Sequence, residues 1–544
     1  MSTKNIVCFC TELERFYFSP IMLLDYNYST GDYQNVYVFI GHNDAGYNNA
    51  NSITNITAES MRQTLNDIIF MKKINLNDIS VVIERIDWKA NTFYDRYDSD
   101  TMLADFDDNG KLRKKFYVRN KFDQVFKCLW NNVNSSNTFN IDSIQTTSNY
   151  TTISHNGGTF SVGDLISIQN VNPKEYNGTY KILSASLGSV VVGFDSVDSR
   201  SISTTIPYIN GGTIKKTILS TQEPLLDFGT FDSENIVETS DGYKWKYIYT
   251  LEKSTKLKFF DNDWMPVLVS TDYPNPKNTK YGFGSIDTID VVNSGDGFQD
   301  GTGTVFVNID GDGSDAAADC LVVGGKIQSI TVRNPGKNYT RATITLIPLN
   351  GSGANAEIHY TISPIGGHGI SPIRDFFARN IMVVGSIIED ESGQLPGDLH
   401  FNQVGIIYNP YVETDLQNHA TNSTISRLIS LSVTSGETKY IPGEVVNQVD
   451  TAGNITYVGK VISFDNINNF LRVINREGAI KPNIEIVGQT SGAIRIITSS
   501  ANTISQQTLY TPYSGNMFYL ENREISEKSE KGIELVKILL NYRQ

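Results

Sequence analysis

Residues 241–249 read DGYKWKYIY, and DNDWMPV follows at 261–267. The alternation in the first stretch marks a strand. Tyr243, Trp245, Tyr247 and Tyr249 are predicted to point one way, and Lys244, Lys246 and Ile248 the other. Two readings of the aromatic face stay open. It fills a core, or part of it meets another subunit, where Tyr and Trp are enriched. Trp88 and Trp264 are predicted to belong to the same packed layer.

Outward from this strand, composition argues for a β-rich, multidomain protein. A chain of 544 residues exceeds what one compact core holds, so roughly three or four domains are expected. Charged residues are sparse at 19%, and polarity comes from Asn, Ser, Thr and Gly, with 28 Tyr and 26 Phe. That mixture favours strands and turns over long helices. The net charge of −14 and the lack of a basic patch argue against a nucleic-acid partner. The short basic runs at 111–115 and 253–258 read as solvated strand ends. The start, MSTKNIVCFC, lacks a charged segment followed by a long apolar run. No stretch approaches the roughly 18 apolar residues of a membrane span. With four cysteines, the expectation is a chain kept in a reducing cytoplasm or in something assembled there. Cys8 and Cys10 share one face of a predicted strand and read as packed thiols.

Along the chain, NVYVFIG (35–41) reads as a buried strand ending at a glycine. Met61, Leu65, Ile68 and Ile69 fall at i, i+4, i+7 and i+8, which predicts a helix over 57–73. Glu59 stands in its first turn and Lys72 and Lys73 in its last. SVVIERIDW (80–88) and FYVRNKFDQVFKCL (116–129) read as further strands. FSVGDLISIQ (160–169) opens a small β unit, and Asn177-Gly178, between Tyr176 and Tyr180, signals a hairpin turn. IDVVNSGDGF (289–298) returns as ITVRNPGKNY (330–339), and Gly311-Asp312-Gly313 as Gly351-Ser352-Gly353. Two copies are too few for a solenoid, so they are expected to pack as one β domain. YIPGEVVNQ (440–448) repeats the logic of 160–169, and IELVKILLNY (533–542) reads as a strand.

Five segments in register, in this order, resemble the peripheral baseplate wedge subunit of T-even-type contractile-tailed phages, the gene product 8 family. They are VYVFIG (36–41), VVIERIDW (81–88), VFKCL (125–129), DGYKWKYIY (241–249) and SGNMFYLENR (514–523), which includes Glu521, Asn522 and Arg523. The GGHG at 366–369, before an amphipathic 373–377, is similar to versions in longer relatives. The resemblance covers about half of the chain. It implies a core made of 1–133, 217–280, 366–431 and 510–544, with β-rich insertions at 134–216, 281–365 and 432–509. The fold expected is mainly β with a few short helices, a multi-layer β-sandwich core interrupted by small β-barrel or sandwich insertions. The resemblance also implies a two-fold homodimer, a structural virion protein without enzymatic activity or cofactor, that bridges neighbouring wedge proteins. The insertions are expected to contact neighbouring wedge proteins, with contacts to fibre or rim proteins as the alternative. No membrane partner is expected.

Candidate chemistry is thin. His42, His155, His359, His368, His400 and His419 show no metal-ligand spacing. His368, flanked by glycines, reads as a hinge or tight turn in preference to a ligand. DGDGSD (310–315) lacks the glycine and glutamate an EF-hand needs and reads as an acidic β-turn, with a weak calcium site as the alternative. GSGANA (351–356) precedes a strand, not the helix that phosphate binding needs. No G-x-S-x-G elbow occurs, and Glu389-Asp390-Glu391 reads as a solvated loop. The rival reading from another class is a carbohydrate-binding or depolymerising tail protein, which the small β units and acidic loops allow.

Overall fold

A computed structural model describes residues 26–27, 32–33, 35–42, 58–97, 112–131, 138–194, 202, 207–226, 236–267, 284–350, 353–364, 368, 375–387, 399–412, 415–498, 510–527 and 534–541. The molecule is mainly β, with several antiparallel sheets, a closed six-stranded barrel and short helices. It divides into two compact units. One is Val82–Arg379, and the other joins the stretch ending at Val81 to the stretch from Asn380 onward.

In the first unit, strands Ile236–Glu238, Tyr243–Thr250, Gln124–Asn131 and Tyr117–Arg119 lie side by side in that order. Gln124–Asn131 is buried at all eight positions, so both of its faces are covered. The aromatic strand beside it does not alternate strictly. The ladder shifts register between Lys244 and Trp245 and again between Tyr247 and Tyr249. Tyr243, Trp245 and Tyr249 are buried, Tyr247 is half-buried, and Lys246 on the other parity is buried too.

The barrel runs Leu165–Asn172, Gly178–Ser186, Ser189–Val192, Thr151–His155, Thr138–Thr146 and Asn210–Lys216, closing on the first strand. Ile153, Ile166, Ile168, Tyr180, Val190 and Ile214 fill it, the every-second-residue pattern that a small barrel imposes. A further sheet orders Lys326–Asn334, Ala317–Val323, Gly301–Gly311 and Ala342–Pro348, while Ile286–Asp296 pairs with Ala354–Ile362. The two repeats interlock here. The first strand of each copy pairs with the last strand of the other, and the two middle strands pair together. Phe298 of the first copy packs on Gly353 of the second, and Tyr339 of the second packs on Gly313 of the first. Neither site leaves room for a Cβ. The repeated aromatic and the repeated glycine are thus the two halves of one reciprocal contact.

In the second unit, Thr424–Ser426, Ile68–Lys73, Val36–Gly41, His400–Tyr408 and Asn516–Glu527 form a five-stranded sheet. Val38, Ile40, Phe70, Val404 and Ile406 pack in its core with Val383 and Ile538 of the paired strands Asn380–Ile387 and Glu534–Asn541. A six-stranded sheet runs Leu428–Ser432, Phe470–Gly478, Ile455–Asp465, Val445–Val449, Glu485–Gly488 and Ile494–Ile496. A bridge between Val433 and Ile497 brings its ends together. Buried Arg495 ties the closure by donating to the carbonyls of Thr434, Gly436 and Thr438 at 2.8–2.9 Å.

Four local expectations are corrected. The helix expected over 57–73 stops at Asn66, and Ile68–Lys73 is a strand. Ile68, Ile69, Phe70 and Met71 are all buried. A strand covered on both faces is apolar at every position and so satisfies any periodicity. The strand expected over 116–129 is two, Tyr117–Arg119 and Gln124–Asn131. Asn120 sits between them, its side-chain Oδ1 accepting from the Phe122 and Gln124 amides. The basic run at 253–258 lies in a short helix, Lys253–Phe259, not at a strand end. Lys256 there reaches Asp123 at 2.8 Å. The strands flanking Asn177-Gly178 do pair, but a 3-10 turn, Lys174–Tyr176, joins them. Asn177 is extended and accepts from the Val171 amide.

Candidate functional site

The lysine side of the aromatic strand and its neighbour meets a layer of acids. Lys127, in the strand buried at every position, contacts Asp375 Oδ1 at 2.7 Å, with the two side chains 0% and 1% exposed. Lys127 Nζ also lies 3.2 Å from His368 Nδ1. The other ring nitrogen, Nε2, lies 2.7 Å from Asp287 Oδ2. An ammonium has no lone pair, so Nδ1 accepts from Lys127 and Nε2–H donates to Asp287. Ser285 donates to the second Asp287 oxygen at 3.2 Å. On the neighbouring strand, Lys244 reaches Asp290 at 2.6 Å. Tyr97 and Phe376 wall the cluster, their ring centroids 4.2 Å and 5.5 Å from Lys127 Nζ.

Burial sets the electrostatics. It lowers the Lys127 pKa, and Asp375 only partly restores it. It also lowers the His368 pKa, against the pull of Asp287, so the imidazole is neutral. Burial alone would raise Asp287. His368, Lys246 and Ser285 more than offset that and leave its carboxyl below the usual range. Asp290 stays raised by burial despite Lys244. The layer therefore alternates cation and anion, with a neutral imidazole as the bridge.

The sequence-derived residues fall in separate places. Tyr243 and Trp245 stack at 5.6 Å, and Tyr94 meets Trp245 edge-on at 5.5 Å. Tyr247 bonds Thr250 at 2.9 Å. Trp264 is buried opposite Glu84. Trp88 is half-buried and donates to Ser220 Oγ at 3.0 Å, and Ser220 in turn donates to Asp241 at 3.3 Å. Glu521, Asn522 and Arg523 lie in the second unit. There Arg523 bridges Glu521 at 2.9 Å and the Lys537 carbonyl at 2.7 Å, and Asn522 accepts from Gln403. His368 is a buried residue of the ion layer. Asp312 accepts from the Thr340 hydroxyl and from the Thr340 and Arg341 amides, and these bonds hold its carboxyl down at about 2. Residues 389–391, Cys8 and Cys10 lie outside the described residues. Among the described residues, no group of three or more His, Cys, Asp or Glu is arranged to hold a metal ion, and no helix is long and apolar enough to cross a membrane.

Sequence reasoning missed Lys127, Asp287 and Asp375. A signal existed for two of them. Lys127 interrupts the apolar VFKCL, and Asp287 stands next to Ile286 and close to Ile289, Val291 and Val292. A charge inside a strand that is otherwise apolar on both faces requires a partner.

Neither a scan against protein-family models nor a search of curated proteins finds a match to this chain.

Proposed function

We propose that the chain is a structural virion protein, a peripheral baseplate wedge subunit of a contractile phage tail. It works as a two-fold homodimer that bridges neighbouring wedge proteins. The observation that carries the reading is where the resembling segments fall. Segments 36–41, 81–88, 125–129, 241–249 and 514–523 all supply strands to the framework sheets of the two units. The barrel, the interlocked repeat and the six-stranded sheet have apolar cores of their own. That is the pattern of a frame with added modules, and the modules are surfaces available to neighbours.

The charged groups at the centre support the same reading. Lys127, His368 and Asp287 are spent on one another, which suits a load-bearing frame more than turnover of a substrate. A dimer of this kind uses one self-complementary patch on each chain and buries on the order of 2,000 Å² or more. Light scattering on the purified chain tests the reading and should give twice the chain mass. Incubation with host surface polysaccharide should release no reducing ends. A monomer that releases reducing ends would establish the depolymerase reading instead.

A further inference from the structure

We propose that Lys127 and Asp375 are joined by an intramolecular isopeptide bond that forms spontaneously once the first unit has folded. The two groups meet at 2.7 Å, both closed off from solvent. The aromatic rings of Tyr97 and Phe376 stand beside the amine, and His368 Nδ1 lies within proton-transfer reach of it at 3.2 Å. Reacting groups held in contact without water need no further collision or reorientation, the situation that raises effective concentration most.

The step balances without any co-reactant. Lys127 Nζ begins as an ammonium and Asp375 as a carboxylate. One ammonium proton passes along the 2.7 Å contact to Asp375, which leaves a neutral amine against a neutral carboxylic acid. The amine lone pair attacks Asp375 Cγ and forms the new C–N bond. His368 Nδ1 takes the second proton from the attacking nitrogen and passes it to the departing oxygen. One Cγ–O bond then breaks, and that oxygen leaves as water, carrying the proton first passed to Asp375 and the one relayed by His368. The third proton stays on the amide nitrogen. His368 is therefore the catalytic base and acid, and it returns to its starting form.

The energetics favour the product. Two buried ions, each opposed by desolvation, become one neutral amide. Burial lowers the Lys127 pKa, which makes the neutral amine accessible. The neighbouring pair Lys244–Asp290 serves as an internal contrast. Its lysine is 21% exposed, so water solvates that ammonium and the pair is expected to remain ionic.

Intact mass spectrometry of the denatured full chain tests the proposal. The wild-type chain should weigh less than its sequence by one water. Proteolysis should yield one branched peptide that joins the Lys127 and Asp375 segments. The Lys127→Arg chain, measured under denaturing conditions whether or not it folds, should show its full sequence mass. A wild-type chain at full mass overturns the proposal. So does a missing water that persists in Lys127→Arg, or a branch that maps to Lys244 and Asp290.

Discussion

Trp245→Ala bears directly on whether the aromatic face of strand Tyr243–Thr250 is core. Trp245 is fully buried within its own chain, stacked on Tyr243 and met edge-on by Tyr94. Truncating a buried Trp costs about 3–5 kcal/mol in lost transfer and cavity energy. The two ring partners add about 0.5–1.5 kcal/mol each. Against this, the indole Nε1 has no hydrogen-bond partner among the described residues, so removing it relieves about 1–3 kcal/mol of desolvation. The balance is a loss of ~4 kcal/mol, a large part of the roughly 5–15 kcal/mol that holds a domain folded. At a urea slope of about 3 kcal/mol/M, the midpoint of the first unit should fall by roughly 1.3 M. Urea titration of far-UV circular dichroism measures it. Trp245→Phe, which keeps a ring in the stack, should lose less than half as much. A Trp245→Ala chain with an unchanged midpoint that no longer dimerises would refute the reasoning and make the face a subunit contact.

Three further outcomes follow from the same geometry. His368 is held below its ordinary value of 6.5 by burial, so the unfolded chain takes up that proton first as pH falls. The stability it contributes is full above 6.5 and is lost as pH drops toward its folded value. His368→Gln should remove this component, so the fall in urea midpoint between about pH 7.5 and about pH 5.5 should be smaller in the variant than in wild type; equal falls contradict the assignment. Asp287, depressed below 3.8, adds a separate loss only under more acid conditions. Gly353→Ala should destabilise the interlocked repeat by about 1–3 kcal/mol through overpacking against Phe298, and Phe298→Leu should recover part of it, read from a double-mutant cycle; additive effects count against the reciprocal contact. Burial raises the thiol of Cys128 well above its ordinary value and that of Cys320 to about 11. Neither should be alkylated before unfolding, as peptide mapping would show, and rapid labelling of either in the native chain would contradict its placement.

Much of the fold class was legible because the signals were local. Asn-, Ser-, Thr- and Gly-rich composition, short alternating stretches and the paired repeat all point to β structure, and the chain is β-rich. What misled was burial on both faces. Ile68 to Met71 carries no alternation, because a covered strand needs none, and so its residues matched a helical stripe by chance. In Lys253–Phe259 the opposite holds. Phe259 is the buried residue of that helix, too little apolar surface to show a period. The repeat was visible as a sequence match, but its logic was not. Phe298 and Tyr339 pack on glycines of the opposite copy, a three-dimensional relation that sequence spacing does not encode. The ionic layer was hidden for a similar reason. Lys127, Asp287 and Asp375 are far apart in the chain and stand on elements that do not pair, and only packing within the folded unit brings them together.

A side-chain-resolution reconstruction of the phage tail decides whether this chain is the baseplate frame component we propose. Density for the chain is expected at the baseplate periphery, as two-fold pairs, with strand Tyr243–Thr250 inside the subunit and the barrel, the repeat and the six-stranded sheet turned toward neighbouring proteins. A complete baseplate that holds no density for this chain would contradict it.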